Sequence, residues 1–115
     1  MLETNDINGT IHFYTEMLGF TLGDTFKHDG EIVWCTLWKD ELSIMFCLPN
    51  KAMNYGRILL SGSLYIYLDG VDEYWQQVKD KAEVVYEPEN FPYNMREFGI
   101  KDNNGYVLNF GESLV

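Results

Sequence analysis

At 115 residues the chain is long enough for one compact domain that buries its own apolar core without a metal or a disulfide as staple. Hydrophobic residues make up 46% of it and aromatic residues 16%, yet no apolar run approaches the roughly 18 residues of a membrane span, so a soluble protein with no membrane partner is expected. A formal net charge of -10, with only eight Lys and Arg scattered along the chain, argues against nucleic acid as a partner; the acidity either serves solubility or favours cationic ligands. The first residues have neither a basic region nor a continuous apolar stretch of the kind that directs export, so a cytoplasmic location is expected.

In chain order, residues 2–5 read as a short strand. Asp6 then caps a helix whose Ile7, Ile11, Tyr14 and Leu18 recur at helical spacing, and Gly19 closes it. Residues 20–28, 32–39 and 42–47 read as three strands, separated by the turn His28-Asp29-Gly30 and by the polar break Lys39-Asp40-Glu41. Residues 49–62 have no clear period and contain Asn54, Gly56 and Gly62, the composition of a connector. From residue 63 the order repeats. Leu64, Ile66 and Leu68 alternate with Ser63, Tyr65 and Tyr67, and a helix over 71–79 follows with Tyr74, Trp75 and Val78 as its buried stripe. Residues 83–87, 96–101 and 106–110 read as three more strands. A loop over 88–94 separates the first two, and Asp102-Asn103-Asn104-Gly105 turns the chain between the last two.

Strand, helix and three strands therefore occur twice, giving module one at about 1–48, a connector at about 49–62 and module two at about 63–115 in a single domain. The predicted fold is α+β: two βαβββ modules forming a curved, mixed eight-stranded sheet around a concave cleft, with the helices on the outer face. Cys35 and Cys47 have neither CxxC spacing nor a neighbouring His, and they face opposite sides of the predicted sheet, so both are read as small apolar residues.

Three stretches carry a resemblance. Residues 6–20, ending in IHFYTEMLGF, residues 64–78, and residues 91–112, FPYNMREFGIKDNNGYVLNFGE, resemble signatures of the vicinal oxygen chelate superfamily. That superfamily includes glyoxalase I, bleomycin resistance proteins, extradiol dioxygenases and fosfomycin resistance enzymes. The tail is most similar to that of bleomycin resistance proteins, departing from it at Asn94, where the family has Gly, and at Asn103, where it has Pro. Asn also adopts left-handed backbone and suits turns, so neither change disturbs the fold.

Enzymes of the superfamily hold a divalent metal through His or Glu on the first and last strands of each module. Here the resemblance puts those positions before Met1 and on Met45, Ser63 and Asn109, none of them a usual donor, so no metal and no cofactor is predicted. His12 and His28 lie off these positions. No catalytic residue is assigned either: the chain has no GxSxG elbow, no Cys–His candidate and no phosphate-cradling glycine loop.

Alternation places Trp34, Thr36, Trp38, Ser43, Met45, Cys47, Ser63, Tyr65, Tyr67, Glu97, Gly99 and Asn109 on the face away from the helices. Of these, Trp34, Trp38, Met45, Ser63, Tyr65, Tyr67, Glu97 and Asn109 are the predicted ligand-binding residues, an aromatic surface with a few polar anchors. The competing interpretation is that these rings fill a closed interior or form a dimer contact. Phe91, Tyr93 and Tyr55, on loops, suit either a lid or an interface, and Arg96 is expected to order the neighbouring loop. The resemblance implies a metal-independent small-molecule binding protein that pairs with a second copy to sequester a bulky aromatic or cationic ligand in a dimer cleft. Its alternative is an enzyme of the same superfamily, either a metal-dependent lyase, isomerase or dioxygenase whose ligands lie at other positions, or a metal-free variant with Glu97 as general base. A third reading is a pure interaction domain.

Overall fold

A computed structural model describes residues 1–49 and 63–115. Apart from Pro49 the predicted connector, with Tyr55, lies outside the described residues. The chain divides into two compact units, Met1–Leu59 and Leu60–Val115, so the boundary in sequence falls within that connector.

Module one runs β1 (Leu2–Glu3), α1 (Ile7–His12), β2 (Thr21–His28), β3 (Glu31–Lys39) and β4 (Leu42–Cys47). Module two runs β5 (Ser63–Tyr67), α2 (Val71–Val78), β6 (Glu83–Phe91), β7 (Met95–Lys101) and β8 (Val107–Ser113). Each module forms its own four-stranded mixed sheet, in the orders β1-β4-β3-β2 and β5-β8-β7-β6. In both, the first strand pairs parallel with the last, and the remaining pairs are antiparallel. Among the described residues, the eight strands and two α-helices follow the α+β, twice-repeated βαβββ plan that the sequence predicts. No helix among the described residues is long and apolar enough to cross a membrane.

The Asp6 side chain accepts from the Gly9 amide at 2.9 Å and so caps α1. Regular α-helix ends earlier than its spacing suggests. From Phe13 to Met17 the backbone widens into a π turn, in which the Leu18 amide reaches the Phe13 carbonyl at 3.2 Å. Tyr14 and Leu18 are both buried beyond it, with the Tyr14 ring packed against Phe20 and Phe46 at 5.3 and 5.1 Å. Cys35, Leu37, Ile44 and Phe46 complete this core from the sheet.

The core of module two lies under α2. Phe98 and Phe110 stack at 5.3 Å on neighbouring strands, Tyr74 sits 5.0 Å from Phe110, and Trp75 sits 5.2 Å from Phe98. Ile66, Val71, Val78, Ile100 and Leu108 fill the rest, each such side chain contributing about 1.5–3 kcal/mol on burial. Arg96 bonds both Asp72 oxygens at 3.0 and 3.1 Å and Asn90 at 3.0 Å, tying the helix and the edge strand to β7.

Among the strands, the ends of β6 and β8 differ most from the sequence reading. β6 continues through Pro88 to Phe91 instead of stopping at residue 87, because β6 is an edge strand and its register shifts between Tyr86 and Glu89. An edge strand with a bulge tolerates a residue that lacks an amide hydrogen. The expected loop thus shrinks to a turn, closed by the Asn94 amide on the Phe91 carbonyl at 3.1 Å, with Asn94 at φ +61°. β8 also runs on to Ser113, which brings Glu112 into the sheet.

Candidate functional site: a tyrosine-capped carboxylate in module two

The sheet of module two has α2 on one face. Its other face carries Ser63, Tyr65 and Tyr67 from β5, Asn109 and Gly111 from β8, Glu97 and Gly99 from β7, and Tyr86 from β6. Register aligns them: Glu97 lies opposite Gly111, Gly99 lies between Asn109 and Tyr86, and Tyr65 lies beside Asn109. The two glycines shape this face. A Cβ on Gly111 would come within 2.8 Å of the Tyr65 Cζ, and one on Gly99 within 2.9 Å of the Tyr86 Cδ1. Each tyrosine ring therefore lies across a bare stretch of backbone, and both rings aim their hydroxyls at Glu97.

The Tyr65 hydroxyl donates to Glu97 Oε2, and the Tyr93 hydroxyl, from the turn after β6, donates to Oε1. The Tyr86 hydroxyl lies 2.8 Å from Asn109 Oδ1 and 3.2 Å from Glu97 Oε1, so its single proton has two acceptors in reach. Asn109 then donates through Nδ2 to the Ser63 hydroxyl at 2.6 Å. Serine, amide, phenol and carboxylate form one hydrogen-bonded chain across all four strands. Its acid is enclosed: Glu97 is 4% exposed, whereas Tyr65 is 38%, Tyr93 56% and Tyr67 76% exposed.

The carboxylate controls the phenols. Its hydrogen bond pushes Tyr93 up to about 12 from an ordinary 10.0, with desolvation and charge adding to the effect. Tyr65 and Tyr86 are raised as well, first by burial and then by the same carboxylate. All three remain donors at neutral pH. Among the described residues Glu97 has no basic partner, since the ion pairs join His28 to Asp29, Arg96 to Asp72 and Lys101 to Glu83.

The structure thus brings together four of the predicted residues, Ser63, Tyr65, Glu97 and Asn109. Tyr67 stands beside them, its ring 5.1 Å from that of Tyr65. Tyr67, Leu68, Asp69, Gly111 and Ser113 also line an open hollow of about 360 Å³. Trp34, Trp38 and Met45 belong to the sheet of module one and take no part in this chain of bonds. Trp38 and Met45 are 44% and 40% exposed there, with the indole of Trp38 lying over Gly23. Sequence reasoning missed Tyr86 and placed Tyr93 on a loop, as a lid or interface residue, outside the predicted ligand-binding set. The available signal was the pair Gly99 and Gly111, small residues on a face otherwise rich in tyrosine.

At the positions that the resemblance assigns to metal ligands, Ser63 and Asn109 are neutral and bonded to each other, and Met45 is a thioether. Among the described residues no three His, Cys, Asp or Glu side chains converge. Ser63, Asn109 and Met45 do not fit a divalent metal of the kind that the resemblance implies. Burial pushes the thiols of Cys35 and Cys47 up, which favours their protonated form.

Comparison with solved structures finds the same fold at low identity. The chain is similar to TioX from Micromonospora sp. ML1, with TM-score 0.80 and 19% identity over 98% of this chain and 94% of that one. It is similar to TnmS3, an antibiotic binding protein from Streptomyces sp. CB03234, with TM-score 0.75 and 20% identity over 97% and 90%. A glyoxalase-related enzyme from Clostridium phytofermentans matches with TM-score 0.74 and 18% identity over 97% and 90%. No curated protein sequence matches the chain. The sequence profile of the Glyoxalase/Bleomycin resistance protein/Dioxygenase superfamily matches residues 1–110. With nearly the whole length matched and both βαβββ modules in place, the chain belongs to the glyoxalase/bleomycin resistance protein/dioxygenase superfamily.

Proposed function

We propose that the protein is a metal-independent binding protein that sequesters a bulky aromatic or cationic small molecule, with two copies of the chain pairing to complete the cleft. The observation that carries this reading is the enclosed Glu97 carboxylate, without a basic partner among the described residues, beneath the partly exposed rings of Tyr65 and Tyr93. Exposed tyrosine rings attract planar and cationic groups through their faces. A net charge of -10 raises the encounter rate with cations. Similarity to an antibiotic binding protein is consistent with the same role, which here is protection by stoichiometric capture in the cytoplasm.

Calorimetry tests it. Untagged protein in a chelating buffer, titrated with bleomycin and related cationic glycopeptides, is expected to give saturable binding at one ligand per chain. A heatless titration at micromolar protein would remove this ligand class. Stoichiometric zinc, nickel, manganese or iron retained through purification would instead favour the enzymatic members of the superfamily.

A further inference from the structure

We propose that Glu97 is the receptor for a primary ammonium group on the ligand, and that this ammonium takes the place of the Tyr93 hydroxyl as donor to Oε1. The proposal rests on the binding role above and narrows it to amines whose nitrogen carries hydrogens.

A carboxylate removed from water is stable only when paired and hydrogen-bonded. Glu97 has hydroxyl donors but, among the described residues, no cation. Among the described residues its charge is solvated by hydroxyl dipoles, and a cation arriving with its own N–H donors improves on them. The hydroxyls approach Glu97 with their O–H ends, so the position beside Oε1 calls for another hydrogen-bond donor. A quaternary ammonium, which has no N–H, does not meet that demand.

The three tyrosines are not equally held. Tyr65 is fixed on β5, with its ring across Gly111. Tyr86 is fixed on β6, with its ring across Gly99, against Phe91 at 5.9 Å, and its hydroxyl shared with Asn109. Tyr93 lies outside the strands on the turn between β6 and β7, and is 56% exposed, with its ring stacked on Phe91 at 5.5 Å. It is the donor that can leave without breaking a strand. When it does, the ring pair of Tyr65 and Tyr67 and the adjoining hollow remain to receive the body of the ligand.

The test uses 2-phenylethylamine, its neutral counterpart 2-phenylethanol, and its trimethylammonium derivative, each titrated by NMR into the full chain, E97Q and Y93F, with circular dichroism confirming that the variants fold. The amine is expected to bind the native chain at least tenfold more tightly than either analogue. Glu97→Gln is expected to abolish that preference, while Tyr93→Phe, which deletes the competing donor, strengthens amine binding severalfold. Equal affinity for amine and alcohol, an undiminished preference in E97Q, or weaker amine binding in Y93F would each overturn the ammonium site while leaving a tyrosine-lined binding face intact. Binding by none of the three compounds also overturns it, and the glycopeptide titration then decides the wider binding role separately.

Discussion

Glu97 shows how one residue sets the state of its neighbours. Because its hydrogen bond is the first cause of the elevated Tyr93 phenol, Glu97→Gln should bring Tyr93 down from about 12 toward 10.0. Tyrosinate absorbance or carbon-13 labelled tyrosine NMR measures this directly. The effect has a sign for stability. A phenol whose folded value is raised contributes stability that is whole below pH 10 and lost as pH rises through about 12. Alkaline unfolding of the native chain should therefore steepen over that window, and more so than in E97Q. The glycines give a second expectation. In Gly99→Ala the new methyl would enter the ring of Tyr86, 2.9 Å from Cδ1, at a cost of about 1–3 kcal/mol, visible as a Tm several degrees lower. Ser63, Tyr65, Glu97 and Asn109 were legible because strand alternation alone puts them on one face. Tyr86 was not, because its facing partner Gly99 depends on a bulged register that no local pattern encodes.

Among the elements, α2 depends on a residue distant in sequence. Its N-cap position is Gly70, which has no side chain to satisfy the first amides, and Glu112 of β8 supplies that function instead. Its carboxylate accepts from the amides of Gly70 at 3.0 Å and Val71 at 3.2 Å. Glu112→Ala should cost about 1–2 kcal/mol, the value of a helix cap, measured by denaturant unfolding at neutral pH. The variant is expected to keep the Glu97 chain of bonds, since Glu112 lies outside it. Helix and strand types were legible along the described chain, because their apolar periods are distinct. The ends were less so. The π turn after α1 preserves buried spacing at Tyr14 and Leu18 and so looks helical, and Pro88 signals a loop unless its strand is known to lie at a sheet edge.

At the scale of the molecule, the repeat is the most legible feature: two modules with the same strand order, each closing a parallel pair between its first and last strands. Local patterns reach that far because each module buries its own helix against its own sheet. They do not reach to the candidate site, whose chemistry depends on which side chains meet across strands. Pairing of two chains is expected from the binding role, and the exposed Phe26 on edge strand β2, at 62%, accords with it. Light scattering should report twice the mass of one chain. The most direct test is calorimetric titration of metal-free native protein and E97Q with bleomycin. The binding role centred on Glu97 predicts saturation at one ligand per native chain and at least tenfold weaker binding by the variant; no heat with the native protein would remove this ligand class, and equal affinity in both would contradict the role of Glu97.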